Sequence, residues 1–449
     1  MIPPKPNSRP EKVSLWRYLR LFRRDILSAQ PAKLYRAWMA EFKTPFFRSY
    51  MVNDPKLLQL VLKERPDDFP KSDRIGAGLR PLLGNSVFLT NGEDWKRQRR
   101  IIDPAFEGGR LRDTYGAMFA AGQAAVARMA PLADDTPQEL EAQTSHAAAD
   151  VIFRTLFSIP IEDETASQVF NEFRHYQRTQ PILNLAAFVR GPKWMPRFFR
   201  SETKRTARSI RELIARLTQS RLDQIKQGTA PDDLATKIMT TPDPLTGQTF
   251  DRDEMVDQVA IFFLAGHETS ASALAWSLYL LASNPDWQDK LATESTHLTE
   301  DFSSVAKLRQ TRDVFREALR LYPPVPMMVR ETTCPETFRA RHVKAGAQVV
   351  LSPWHLHRHE RLWDNPDGFD PTRWATENGQ SCARDAYMPF SSGPRVCTGA
   401  GFAMIEGVML IALLLRAYRF GIVPDKVPEP VAHLTVRAKN GMWLRFVPR

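Results

Sequence analysis

A mainly α-helical chain is what this sequence predicts, and three stretches predict it. Residues 251–282 open with Asp251, Asp253 and Glu254 and run on through apolar residues on nearly every face, the pattern of a long buried helix. Residues 400–415 form a second apolar-rich helical pattern. Near the start, Leu15, Trp16, Tyr18, Leu19, Phe22 and Ile26 recur at helical spacing beside Arg17, Arg20, Arg23 and Arg24. With 449 residues, of which 43% are hydrophobic and 25% charged, the chain is long enough to bury a large core.

From the N-terminus, the first ten residues carry four prolines and no apolar segment of the kind a signal peptide needs. The longest apolar run, eight residues from 408 to 415, falls short of the roughly 18 that span a bilayer. A cytoplasmic, monomeric protein is expected. The arginine-rich helix in the 1–30 arm has the make-up of a surface-lying amphipathic helix. Packing against the domain is the expectation for it, and peripheral contact with a membrane is the alternative. Three cysteines, Cys334, Cys382 and Cys397, are too few and odd in number for a disulfide framework and suit a reducing compartment. A net charge of +11 asks for an acidic partner, but the basic residues are scattered and match no nucleic-acid module, so no nucleic acid is expected.

Trp95 and Arg99 stand one helical turn apart, an indole N–H and a guanidinium suited to one carboxylate. The centre of the 251–282 pattern reads Ala265-Gly266-His267-Glu268-Thr269. Glycine inside a helix costs about 1 kcal/mol relative to alanine, so Gly266 is expected to break the helix for a purpose. Glu268 and Thr269 place an acid beside a hydroxyl, a pair able to pass protons, and His267 reads as an ordinary helix residue. Glu317 and Arg320 lie three residues apart on one helix face, where they can pair. His355, His357 and His359 would face one side of a strand and invite a zinc reading, which no H-E-x-x-H helix supports.

The most specific segment is residues 390–399, Phe390-Ser391-Ser392-Gly393-Pro394-Arg395-Val396-Cys397-Thr398-Gly399. A cysteine that binds metal does so as a thiolate, and a buried thiolate needs backbone N–H donors close by, which Gly393 and Gly399 are expected to allow. Arg395 offers a cation two residues before the sulfur, Phe390 can shield the sulfur from water, and the helix from residue 400 turns its positive end toward it. The reading is a haem held by thiolate.

This F-x-x-G-x-R-x-C-x-G run resembles the haem-binding signature of the cytochrome P-450 monooxygenases. Further resemblances follow in the family's order: W-x-x-x-R at Trp95–Arg99, A-G-x-[DE]-T at 265–269, E-x-x-R at Glu317–Arg320, and a distant third partner for that pair at Arg373. The sequence around Arg100 and Pro104-Ala105-Phe106 is similar to the fatty-acid hydroxylase and microsomal branch. The resemblance covers nearly the whole chain and implies one domain, 1–449, mostly helical with small β-sheets, enclosing haem b between a long distal helix and the Cys397 loop.

The same resemblance implies roles. Cys397 is the axial ligand; Trp95, Arg99, Arg395 and Arg330 face the propionates; Phe390 and Gly399 complete the loop; Gly266, Glu268 and Thr269 serve dioxygen and its protons; Glu317, Arg320 and Arg373 hold the fold around the haem. The substrate pocket would draw on Leu79, Leu82, Leu83, Phe88, Phe263, Ala265, Val325, Met327, Met328 and Leu434, with a lid at residues 182–199. No G-x-G-x-x-G fingerprint is present, so no fused reductase is expected. NAD(P)H would act through a separate reductase and an acidic ferredoxin or flavodoxin, docking on Arg395, Arg384 and the Lys96, Arg97, Arg99, Arg100 cluster. The implied reaction inserts one atom of O2 into a hydrophobic substrate by hydroxylation, O-dealkylation or epoxidation. The alternatives are a peroxide-driven or isomerising haem-thiolate enzyme, and a haem sensor or ligand carrier without turnover.

Overall fold

Asp251 and Glu254 start the longest helix by capping each other. The Glu254 amide donates to Asp251 Oδ1 at 2.8 Å and the Asp251 amide to Glu254 Oε2 at 3.0 Å. That helix heads a mainly α fold in a computed structural model that describes residues 2–43, 48–179 and 201–449. The expected lid at 182–199 lies outside the described residues.

In chain order the helices are α1 Leu15–Arg24, α2 Pro55–Gln59, α3 Asp73–Leu83, α4 Gly92–Ile102, α5 Gly109–Met129, α6 Leu140–Phe157, α7 Glu164–Thr179, α8 Ser201–Gln227, α9 Leu234–Thr240, α10 Arg252–Ala282, α11 Pro285–Glu294, α12 Arg309–Leu321, α13 Pro353–Leu356, α14 Glu377–Asp385 and α15 Ala400–Ala417. The strands are short: β1 Met39–Lys43, β2 Arg48–Val52, β3 Gln138–Glu139, β4 Met328–Glu331, β5 Glu336–Phe338, β6 Arg341–Val343, β7 Gln348–Leu351, β8 Tyr418–Ile422, β9 Pro430–Ala432, β10 Val436–Ala438 and β11 Trp443–Pro448.

The chain divides into two compact units. The first takes Met1–Phe69, Gly122–Ala147 and Glu268–Arg449 and contains all the strands found among the described residues. Its largest sheet runs β1-β2-β7-β4, with β2 and β7 parallel although residues 53–347 lie between them in the chain, a pairing no local turn can dictate. Beside it pack Tyr50, Val52, Phe69, Phe338, Trp363 and Trp374. The sheets β3-β11-β8 and β10-β9 lie toward the C-terminal end of the chain. Helix α15 is apolar on every side because it is a core helix, with Phe402 and 406–415 buried.

The second unit takes Pro70–Ala121 and Ala148–His267. Phe263 of α10 sits there among Phe153, Phe157 and Phe173, its ring centroid 4.4 Å from that of Phe153. Phe263, expected to line a pocket, is buried in this aromatic cluster and 3% exposed. Leu79, Leu82 and Leu83 are buried in the same way. Burial of apolar side chains against one another stabilises each by about 1.5–3 kcal/mol.

Helix α1 turns Tyr18, Leu19 and Phe22 to a half-buried face and leaves Trp16 83% exposed. One further expectation differs. The spaced histidines do not lie on a strand. Pro353 starts the short helix α13, which gives each ring a different neighbour, and no group of metal-binding side chains occurs among the described residues.

Candidate active site

The Cys397 loop is shaped by two residues with left-handed backbone, Ser391 (φ 65°) and Gly393 (φ 69°). Gly393 is required there, since a Cβ would collide with the carbonyl oxygen of Leu62. Gly399 has φ −84° and needs no such freedom; a Cβ on it would lie 4.0 Å from Cys397 Sγ. The loop closes when the Cys397 amide donates to Phe390 O at 2.9 Å, and α15 begins at once, capped by Gly399. Cys397 is exposed at that helix start, whereas Cys382 is buried, donates to Leu362 O at 3.1 Å and has its thiol pushed up to about 11 by burial. Of the two, only Cys397 stands where a helix N-terminus favours a thiolate.

Arg395 does not serve a surface: it is 8% exposed. Buried with it is Arg330 of β4, 6% exposed, which is lowered to about 10 by burial and by the charge of Arg395. Arg330 Nη1 reaches Val329 O at 3.3 Å, while its Nε is buried with no acceptor among the described residues. Arg395 feels the charge of Asp67 as well, and the Nε of each guanidinium is buried with no hydrogen-bond acceptor among the described residues, a setting that suits a further anion. The carboxylates of a haem fit that demand, and a thiolate at Cys397 fits its iron.

Glu317, Arg320 and Arg373 form the expected network. Glu317 Oε1 accepts from Arg320 Nη2 at 2.8 Å, Arg373 Nε at 3.0 Å and the Asp370 amide at 3.0 Å, and Oε2 accepts from Arg320 Nε at 2.8 Å. The remaining guanidinium donors bind carbonyls of His357, Asp364, Asn365, Pro366 and Gly368, so a wholly buried ion cluster has every charge answered. His357 extends it to the loop. Its Nδ1 is 3.2 Å from Arg320 O, and its Nε2 accepts the Met388 amide at 2.9 Å, which fixes Nδ1 as the donor. Burial drives His357 down to about 3, so the ring is a neutral strut with both nitrogens engaged by Arg320 O and the Met388 amide.

On α10, Glu268 is buried and Thr269 half-buried, one helical turn after Ala265, which is exposed in the middle of the helix. Glu268 Oε1 accepts from Thr435 Oγ1 at 2.6 Å and also pairs with Arg437 of β10. The expected break at Gly266 is absent, since α10 is continuous through it. The glycine instead admits Ile152 of α6, whose Cδ1 would lie 2.5 Å from an added Cβ. His267 is buried edge-on against Phe170, at 5.4 Å between centroids.

Trp95 is buried in α4, with the Arg99 guanidinium 5.8 Å above its ring and Arg99 Nε 2.8 Å from Asp103 Oδ1. The basic cluster expected to dock an acidic partner is compensated: Lys96 pairs with Glu93 at 3.1 Å, Arg97 with Glu254 at 2.6 Å, and Arg100 with Asp243 at 2.5 Å. For Arg97 and Arg100 those carboxylates lie 157 and 143 residues away in sequence. Arg384 is exposed. Of the pocket set, Val325, Met327 and Met328 are half-buried, and Phe88 and Leu434 are exposed. Sequence reasoning missed Arg437, Thr435 and Glu406; only Glu406, an acid inside an apolar helix, left a visible signal.

The cytochrome P-450 family profile matches residues 29–445. Cyclooctat-9-en-7-ol 5-monooxygenase of Streptomyces melanosporofaciens is 31% identical over 391 residues, covering 84% of this chain and 81% of the relative. Taurochenodeoxycholic 6 alpha-hydroxylase of Sus scrofa is 29% identical over 420 residues, covering 88% and 81%. The solved heme domain of cytochrome P450DA shares the fold with a TM-score of 0.81 at 23% identity, over all of this chain and 98% of that one. Profile, relatives and fold agree with the thiolate loop: this chain belongs to the cytochrome P-450 family and is a haem-dependent monooxygenase.

Proposed function

We propose that Cys397 ligates the haem iron, that Arg330 and Arg395 hold a propionate, and that Glu268 and Thr269 manage the protons of an oxygen insertion into a hydrophobic organic substrate. The observation that carries this reading is the exposed thiol at the start of α15 together with the buried guanidiniums of Arg330 and Arg395, whose Nε atoms have no acceptor among the described residues. A thiolate-ligated haem supplies the oxygen-activating chemistry. The chain's own residues supply the rest. Glu268 exchanges a proton at the carboxylate that Thr435 and Arg437 orient, and the Thr269 hydroxyl passes it on. Glu317, Arg320, Arg373 and His357 keep the Cys397 loop in place. Trp95 and Arg99 contact a second propionate.

Ala265, Val325, Met327, Met328 and Leu434 support an apolar substrate, and the relatives named for cyclooctat-9-en-7-ol and a bile acid favour a large alicyclic alcohol. Residues 1–449 work as one haem domain and as a cytoplasmic monomer, with NAD(P)H electrons delivered by a separate reductase and an acidic ferredoxin or flavodoxin, which the net charge of +11 favours. The exposed Trp16 and the arginines of α1 support peripheral contact with an anionic membrane, tested by vesicle binding after deletion of residues 1–28. Turnover under isotopically labelled O2, with a compound selected by its low-to-high-spin shift, tests the reaction. One labelled oxygen atom in the product is expected; equal rates with hydrogen peroxide alone, without reductase, would contradict it.

A further inference from the structure

Helix α15 carries the Cys397 loop at its N-terminus, where the Ala400 amide binds Cys397 O at 3.2 Å and the Ala403 amide binds Gly399 O at 2.8 Å. Further along the same helix lies Glu406, 1% exposed in a stretch where Phe402, Gly407, Val408 and Met409 are buried as well. A carboxyl in such a place needs a reason. Its Oε2 accepts from Ser270 Oγ at 2.6 Å, and its Oε1 is buried with no partner among the described residues. Ser270 follows Thr269 directly in α10. The next residue on α15, Gly407, has no room for a Cβ against the ring of Phe315 in α12, so α15 is held from two sides at this level.

No charged group contributes to the state of Glu406. Burial pushes it up to about 8, opposed only by the Ser270 hydroxyl. It is therefore a neutral acid at pH 7, and a neutral acid hydrogen-bonded to a serine is a tie between helices whose geometry is its function.

We propose that Glu406 is a positioning residue for the reaction: through Ser270 it fixes the Glu268–Thr269 turn of α10 relative to the helix that presents Cys397. The proposal rests on the assignment of Glu268 and Thr269 to proton handling. Its test does not depend on turnover or on a known substrate, because the probe is carbon monoxide bound to the reduced holoprotein. The infrared C–O stretch reports the groups around the distal face, and the optical band reports the proximal ligand.

Glu406→Gln keeps the shape and neutrality of the acid, so its C–O stretch should stay within the wild-type linewidth. Glu406→Leu and Ser270→Ala remove the tie and should each shift or split the stretch beyond that linewidth, while the optical thiolate band stays in place. The double variant should shift no further than either single one. An unshifted stretch in Ser270→Ala, a Gln variant displaced as far as the Leu variant, or additive shifts would each overturn the proposal. Should Glu406→Leu fail to take up haem, Ser270→Ala and Glu406→Gln decide it. Absence of the thiolate band in the wild-type protein would contradict the assignment of Cys397 instead, and the infrared comparison would still read the Ser270–Glu406 coupling.

Discussion

Arg437 holds the carboxylate of Glu268 by the same oxygen, Oε1, that accepts from Thr435 Oγ1 at 2.6 Å. The acid next to Thr269 is thus oriented by the C-terminal hairpin, and Ser272 Oγ adds a bond of 2.5 Å to Val436 O. Arg437 is partly exposed, with 35% of its side chain accessible, so the pair spans from solvent to the interior of α10.

Replacing Glu268 by Gln leaves the packing and removes the exchangeable charge. Product formation should fall by about 10²-fold, the lower part of the range for a positioned general acid, while the concentration giving half the spin shift stays unchanged. Arg437→Met should lower product formation less, and Arg437→Lys should recover part of it. Wild-type rates in Glu268→Gln would remove this residue from the mechanism.

Glu317→Gln breaks a cluster in which Arg320 and Arg373 are both buried. Leaving two guanidiniums without their carboxylate should destabilise the protein by about 3–5 kcal/mol and reduce haem content. Denaturant unfolding together with the haem-to-protein absorbance ratio measures both. A variant as stable as wild type and fully loaded with haem would show that the cluster is dispensable.

Gly266→Ala should destabilise, although alanine is the better helix former. The gain of about 1 kcal/mol in helix propensity is outweighed by about 1–3 kcal/mol of overpacking against Ile152 of α6. Adding Ile152→Val should restore stability in thermal unfolding. A Gly266→Ala protein more stable than wild type would mean that the glycine serves something other than this close approach.

Glu406 gives the stability a pH dependence of known sign. Its folded value, about 8, lies above the ordinary carboxylate value of 4.5, so the folded chain holds a proton that the unfolded chain has lost. Its contribution is fully present below pH 4.5 and is lost as pH rises to about 8. The difference in unfolding free energy between wild type and Glu406→Gln should therefore change across that window in favour of the Gln variant and level off above it. A flat difference from pH 4.5 to 8 would contradict a neutral buried acid.

What could be read in the sequence and what could not divides by range. The Cys397 loop, the Glu317–Arg320 pair and the long helix are local patterns, and α10 begins one residue after the expected start. Small side chains were harder to read: Gly266 signalled a constraint, but only the position of Ile152 shows that the constraint is packing. Long-range partners left no local trace. Arg437 lies 169 residues from Glu268, and Asp243 lies 143 from Arg100, so neither the orientation of the acid nor the neutralisation of the basic run follows from neighbouring letters. Apolar residues were equally ambiguous, since Phe263 and Ala265 lie two residues apart in α10, yet one is buried and the other exposed.

The central claim, a haem held by the Cys397 thiolate, is tested most directly by the carbon monoxide difference spectrum of the reduced protein beside that of Cys397→Ser. The wild type should show the long-wavelength thiolate band and the serine variant should lack it. Absence of the band in the wild type, or its survival in Cys397→Ser, would contradict the account.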